Sequence, residues 1–277
     1  VLAVAGEDAE PFLNRLVTNN LQAMPRGEAR FAALLSPQGK LLFDFLVVRE
    51  TDGFLLDCVA DQAADLAKKL AMFKLRAKVA IADRSDTLGV AAIWDRVLME
   101  APGLAYRDPR NHGLGYRVIA PRDELTGFDD AEGEVVYEAR RIALGVPKGG
   151  LDFVYGDTFV HDANMDLLHG VDFAKGCYVG QEVVSRVHHR HTARKRVARL
   201  HFYGAPPPLG ASVKAGEVAL GAVTSLGATE GLATLRIDRL AEAEAASMPV
   251  MAEATLVGVA LPEISVVEPP TYAEDLY

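Results

Sequence analysis

Short apolar runs broken by turn residues dominate the first ninety positions. Phe31 to Leu35 and Leu41 to Val48 are strand-like, and Ser36-Pro37-Gln38-Gly39 between them is turn chemistry, so the pattern predicts a hairpin. Thr51-Asp52-Gly53 turns into a further strand, Phe54 to Val59, and Val79 to Ala82 reads as another. Two stretches carry helical spacing instead. Phe12, Leu13 and Leu16 share a face after Asp8, a candidate cap, with Pro11 tolerated in the first turn of a helix reaching about Val17. Ala63, Leu66, Leu70, Phe73 and Ala77 follow Asp61, a second candidate cap. Hairpin strands with a helix laid across them predict an α+β fold rather than a parallel α/β sheet.

Further along, Gly89 to Trp94 and Gly115 to Ala120 read as short strands. Glu134 to Leu144 reads as a helix stopped by Gly145-Val146-Pro147. Residues 146–178 are rich in Gly, Asp and His and keep no period; such a long irregular stretch in a compact domain is a candidate functional region. After Arg199 the pattern changes. Gly204-Ala205-Pro206-Pro207-Pro208 is a stiff connector, followed by β-runs at Val213, Val218 to Ser225, Leu232 to Ile237 and Ala254 to Leu261, which predict a small β-barrel. The expected division is 1–199, 200–265 for the barrel, and a tail over 266–277. No internal repeat is evident.

Composition narrows the classes. With 277 residues, 50% of them apolar and 24% charged, the chain has the balance of a globular protein of one or two domains. A formal charge of -9 argues against coating nucleic acid non-specifically. Two cysteines exclude a disulfide framework, a four-thiolate zinc site and an iron–sulfur cluster ligated by this chain alone. No apolar run approaches the ~20 residues of a membrane span. The opening, Val1 to Asp8, lacks the basic and apolar regions of a signal peptide, and it begins without Met, which fits processing or trimming; a cytoplasmic location is expected. No dinucleotide, Walker A or nucleophile-elbow motif occurs.

The least generic stretch is Lys175-Gly176-Cys177-Tyr178-Val179-Gly180-Gln181-Glu182. Gly180 is placed to start a helix, with Glu182 in its first turn where the helix dipole favours a carboxylate. Cys177, just before that helix and beside Lys175, reads either as an activated thiol or as a small buried side chain in a glycine-rich loop. These eight residues resemble the K-G-C-[FY]-x-G-Q-E signature of the YgfZ-like family, folate-binding proteins that support iron–sulfur cluster assembly and tRNA modification and share the fold of the glycine-cleavage T-protein, an aminomethyltransferase. Thr18-Asn19-Asn20, Ser36-Pro37-Gln38-Gly39-Lys40, Leu75-Arg76-Ala77-Lys78-Val79, Arg141-Ile142-Ala143-Leu144-Gly145-Val146-Pro147 and Gly221-Ala222-Val223-Thr224-Ser225 resemble further elements of that family, in the same order.

The resemblance implies ferredoxin-like subdomains around a central hole that binds tetrahydrofolate or a derivative, with the small barrel appended. It implies Cys177, Lys175 and Asp44 as reactive residues. Asp162, Tyr178, Gln181, Glu182, Arg186 and Arg141 are implied as cofactor contacts. Asp162 occupies the place of an acidic pterin ligand, a role in which a carboxylate accepts two parallel hydrogen bonds. Asp44 lies in an apolar run and resembles the T-protein's catalytic aspartate; by alternation it faces the opposite side from Phe43 and Phe45, toward either the hole or solvent. Asn20 stands where T-proteins carry a second carboxylate.

No Asp or Glu occurs between Val183 and Gly216, a stretch holding Arg186, Arg190, Arg194, Lys195, Arg196, Arg199, Lys214 and four of the seven histidines. It reads as a folate-tail site, as a contact for tRNA through Arg186, Arg190, Arg194, Lys195 and Arg196 or for an acidic partner, or as a solvated basic face. His188-His189-x-His191 lacks a thiolate or carboxylate neighbour, so no dedicated metal site is expected. Cys58 and Trp94 read as packing residues. Three functions follow: a folate-binding accessory factor for iron–sulfur assembly with assembly or client proteins as partners, a one-carbon transferase depending on Asp44, or a docking module using the basic stretch.

Overall fold

The computed structural model describes residues 1–95, 100–128 and 131–262. The expected α+β architecture is present. Strands β1 (Leu2–Ala5), β2 (Ala29–Leu35), β3 (Leu41–Glu50), β4 (Gly53–Cys58) and β5 (Ala80–Asp83) form an antiparallel sheet in the order β2-β3-β4-β1-β5. Strand β3 follows the period-2 rule. Phe45 and Val47 are buried with Leu13 of α1 (Ala9–Asn14) and with Leu66 and Leu70 of α2 (Ala63–Lys74), and Phe43 packs against that same core. Leu46 and Val48 point the other way, into a second core shared with Phe31, Ala33, Tyr106 and Ile119. That second core joins the sheet to a three-stranded one, order β6-β8-β7, made of β6 (Leu88–Ile93), β7 (Leu104–Arg107) and β8 (Tyr116–Pro121).

The helices end sooner than their patterns suggest. Helix α1 stops at Asn14, and the Asp8 carboxylate does not cap it; it accepts a hydrogen bond from the Lys78 backbone N–H at 2.7 Å instead. Helix α2 is preceded by a 3₁₀ turn, Ala60–Gln62, and stops at Lys74, because Leu75 turns to φ 44 and leaves Ala77 outside. Helix α3 (Ala131–Ala143) begins before Glu134. From Leu144 to Gly180 the chain forms no helix or extended strand, and α4 (Gln181–Arg190) follows.

The remainder is a closed antiparallel barrel of six strands, β9 (Lys195–Phe202), β10 (Ser212–Ala215), β11 (Val218–Leu226), β12 (Glu230–Arg236), β13 (Val250–Ala252) and β14 (Thr255–Ala260), in the order β10-β11-β12-β9-β14-β13. Its first strand starts at Lys195, ahead of the expected join at 199/200, because buried Val197, Ala198, Leu200 and Phe202 share β9 with exposed Arg199 and His201. Helix α5 (Ile237–Ala245), which has no counterpart in the sequence reading, closes on the barrel through Leu240 and Ala243. The expected tail, 266–277, lies outside the described residues. Among the described residues no helix is long and apolar enough to cross a membrane.

Candidate functional site

Three sequence-distant motifs interlock to present Cys177. Thr18 Oγ1 donates to the Gly170 carbonyl at 2.6 Å and accepts from the Ala33 N–H at 2.9 Å, while Asn19 Nδ2 donates to the Phe31 and His169 carbonyls at 2.8 and 2.6 Å. These bonds pin the loop entering the octapeptide onto β2. Lys175 is buried, and its ammonium donates to the carbonyls of Asn14, Val17 and Asn19 at 2.8, 2.7 and 2.6 Å. Burial lowers its pKa to about 8, with Asp172 opposing the shift. All three ammonium protons are therefore committed to the backbone. This corrects the expectation that Lys175 acts on the thiol: it clamps the loop to the end of α1.

The other end of the octapeptide docks on the hairpin turn. Gly180 has φ 83, and a Cβ there would sit 2.7 Å from the Ser36 carbonyl oxygen and 3.1 Å from the Gly39 Cα. Only paired glycines allow that approach. Tyr178 is buried in the second core, with the Lys175 ammonium 5.3 Å from its ring centroid, and burial raises its hydroxyl pKa. Between these anchors Cys177 is exposed. Cys58 contrasts with it: partly buried beside the first core, its thiol is pushed up to about 11 by burial. Gln181 opens α4; Glu182 pairs with Arg186 at 2.6 Å on the solvent face, so that pair satisfies itself.

A second cluster lies on the inward face of the five-stranded sheet. Asp44 alternates with Phe43 and Phe45 as expected, and it accepts a hydrogen bond from the Tyr155 hydroxyl. Asp57, on the same face of β4, accepts from the Tyr106 hydroxyl at 2.7 Å and from Arg117 Nε at 2.6 Å. Arg110 is held in bidentate fashion by Asp108, and both Arg110 and Arg117 reach the Tyr137 hydroxyl, at 3.3 and 3.5 Å. The two carboxyls differ. Burial pushes Asp57 upward, but the Arg117 charge and hydrogen bond outweigh it and hold the group below its ordinary value. Burial wins at Asp44, and its pKa rises despite Tyr155 and the nearby Arg110. Among the described residues Asp44 forms no ion pair, so the cost of burial outweighs the pull of Tyr155 and Arg110. Asp57, Tyr106, Arg110, Arg117 and Tyr155 escaped the sequence reading; the one available signal was Asp57 interrupting the apolar strand Phe54 to Cys58.

The remaining expected contacts divide. Asp162 is half-buried and its pKa is raised by burial, with Lys195, the Phe159 backbone N–H, Lys40 and Arg196 pulling it back. Arg141 is buried and consumed: it donates to Asp152 at 2.8 Å, the Val146 carbonyl at 2.7 Å, Ser225 Oγ at 3.0 Å and Glu138 at 2.9 Å. Thr224 and Ser225 donate to the other Asp152 oxygen, so this node joins α3 to the barrel rather than reaching a cofactor, which corrects that expectation. In the basic stretch, Arg196 is locked on Asp166 at 2.6 and 2.9 Å, and Arg190, Arg194, Lys195, Arg199 and Lys214 are exposed and outside any ion pair among the described residues, Arg199 donating to the Ala143 carbonyl. No group of three or more His, Cys, Asp or Glu side chains able to hold a metal converges among the described residues. Trp94 packs on Tyr137 with ring centroids 5.7 Å apart.

Residues 1–94 match the family model of the GCVT N-terminal domain, and residues 194–265 match that of the CAF17 C-terminal β-barrel domain. The chain thus carries a GCVT-type N-terminal domain and a CAF17-type barrel. Among curated proteins it is similar to the iron–sulfur cluster assembly factor IBA57 homolog, mitochondrial, of Mycosarcoma maydis, 35% identical over 229 residues that make up 75% of this chain and 57% of that protein. The human iron–sulfur cluster assembly factor IBA57, mitochondrial, is 31% identical over 243 residues, 76% of this chain and 66% of that one. The chain therefore spans between about half and two thirds of the length of these relatives. Both are named as mitochondrial, which overturns the expectation of a cytoplasmic location. The crystal structure of glycine cleavage system aminomethyltransferase T from Bartonella henselae superposes with a TM-score of 0.73 at 14% identity, covering 95% of this chain and 82% of that one, which establishes a shared fold.

Proposed function

We propose that this chain is a tetrahydrofolate-binding accessory factor for iron–sulfur cluster assembly, indirectly supporting tRNA modification. Cys177 offers one thiolate to a cluster passed to or shared with an assembly or client protein. The observation that carries the reading is the exposed Cys177 held between two buried anchors, Lys175 and Tyr178. A single thiolate supplies one cluster ligand, so the remaining ligands come from the partner. The names of the relatives support the assembly role, and the octapeptide alone supports the narrower YgfZ-like assignment.

Tetrahydrofolate fits the donor set on the inward face. A reduced pterin presents N–H groups, and Asp44 keeps acceptor capacity beside its one side-chain hydrogen bond; Asp162, half-buried near Lys195 and Lys40, is the second carboxyl this reading assigns to the folate. Tyr155 orients Asp44 by its hydroxyl, whereas Arg117 and Tyr106 both bond Asp57 Oδ2 and hold that carboxyl below its ordinary value. When bound, the folate supplies a carrier for one-carbon units. Asp44 also supports the second reading, an aminomethyltransferase-like activity, because a carboxyl with a raised pKa is able to hold or take a proton at its free oxygen.

Calorimetric titration with tetrahydrofolate tests the cofactor, with binding expected in the wild type and lost in Asp44→Asn. Replacement of the gene by Cys177→Ala tests the thiol, and the expected outcome is a loss of several cluster-dependent enzyme activities as deep as that of the deletion. Retained cluster enzymes in Cys177→Ala, with folate-dependent turnover abolished by Asp44→Asn, would reverse the order of the two readings.

A further inference from the structure

The barrel carries a cavity of about 250 Å³ that plays no part in the reading above. Its rim is formed by Lys195 at the start of β9, Arg236 at the end of β12 and Arg239 on α5, over a floor that includes Leu220 and Gly221 of β11. Three cations from three elements surround one small space in a chain whose formal charge is -9. Two of them are preset. Arg236 is held by Asp238, Nε at 2.9 Å and Nη2 at 2.5 Å, and Arg239 Nη1 donates to the Ala219 carbonyl at 2.8 Å. A guanidinium has five N–H donors, so both keep donors in hand. Lys195 forms no hydrogen bond or ion pair among the described residues; Asp162 feels its charge, and Glu242 lies within reach of Arg236. Asp238 is the one of these carboxylates in direct contact with a lining cation; Asp162 and Glu242 act at longer range.

We propose that this cavity binds the phosphate group of a phosphorylated small molecule. A phosphate monoester carries about -1.5 to -2 charges at neutral pH and offers three acceptor oxygens, one for each of the three cations that line the cavity. A planar carboxylate would meet only two of them, and Asp238 already serves Arg236 in that way. The volume lies below the ~300–1,000 Å³ of sites that enclose a whole drug-sized ligand, so the cavity takes a head group rather than an entire molecule.

The full-length chain is titrated calorimetrically with inorganic phosphate at fixed ionic strength, with chloride as the matched control and an unphosphorylated single-stranded RNA as the second arm. Saturable phosphate binding is expected, weakened roughly tenfold or more in Lys195→Gln and in Arg239→Gln, the loss of one charge-assisted hydrogen bond. Lys195 is exposed and unpaired, so its variant keeps the fold even where Arg239→Gln disturbs it. Absence of saturable phosphate binding, unchanged affinity in Lys195→Gln, or binding of the RNA but not of phosphate would each overturn the assignment.

Discussion

Replacing His161 by Phe should stabilise the protein and remove part of its acid sensitivity. His161 is 2% exposed, and neither ring nitrogen has a hydrogen-bond partner. Its ring lies 6.2 Å from that of Phe173 and 6.4 Å from that of His188, in both cases closer to parallel than to edge-on. Burial pushes its pKa down to about 4; Asp166 pulls it up, and Arg196 and His188 push it further down. The same residue in an unfolded chain titrates near 6.5. Between those values the unfolded chain binds the extra proton, so stability is fully present above about pH 6.5 and is lost as pH falls toward 4. The slope is at most about 1.4 kcal/mol per pH unit and the whole window about 3 kcal/mol. A phenyl ring keeps the ring contacts and removes two buried unsatisfied polar atoms, whose desolvation costs roughly 1–3 kcal/mol each. Urea unfolding of both proteins from pH 4 to 7.5 reads the effect as a difference, which cancels the titrating groups that are not coupled to His161, as His188 and Asp166 are. The His161→Phe variant should show a gain at pH 7 that grows on acidification through the window. A difference that stays flat with pH would show that His161 carries its proton, or a bonded nitrogen, in both states, and the reasoning would fail.

Three further substitutions probe the scaffold around Cys177 and the barrel joint. Gly180→Ala forces an L residue to φ 83 and a Cβ against the Ser36 carbonyl; the backbone alone should cost about 1–2 kcal/mol, read as a lower urea midpoint, with Gly176→Ala, which meets nothing within 4 Å, as the mild control. Lys175→Met should cost about 3 kcal/mol by leaving three carbonyls without their donor, and should speed proteolysis within 169–180; an unchanged cleavage pattern would dismiss the clamp. Arg141→Met strands the buried Asp152 charge and should cost about 3–5 kcal/mol, whereas Arg141→Met combined with Asp152→Asn should recover much of it in a double-mutant cycle.

Much of the architecture was legible locally. The hairpin about Ser36 to Gly39, the alternation that sets Asp44 against Phe43 and Phe45, the helix face of Ala63, Leu66 and Leu70, and the barrel's strands each follow from a period of 2 or 3.6 and from turn residues. The octapeptide stood out by its resemblance to a family signature, whereas its glycine spacing alone left Cys177 open between a reactive thiol and a small buried side chain. What failed locally were short pieces with too few residues to show a period, such as Leu104–Arg107 and Val250–Ala252, and the barrel's start, where Lys195, Arg196 and Arg199 looked like a solvated charge run.

The partners of each charge were decided only by the fold. Lys175 looked like a neighbour of Cys177 because the two are close in sequence; in three dimensions its ammonium turns to carbonyls of residues 14–19, more than 150 positions away. Arg141 looked like a ligand contact and became the joint to Ser225, and Asp57 passed as an ordinary strand residue until Arg117 and Tyr106 met it from another sheet. The physical reason is that periodicity records which side of an element must leave water, a local property of the chain. Which charge meets which is set by how the packed elements bring distant segments together, and no short window of sequence contains that distance.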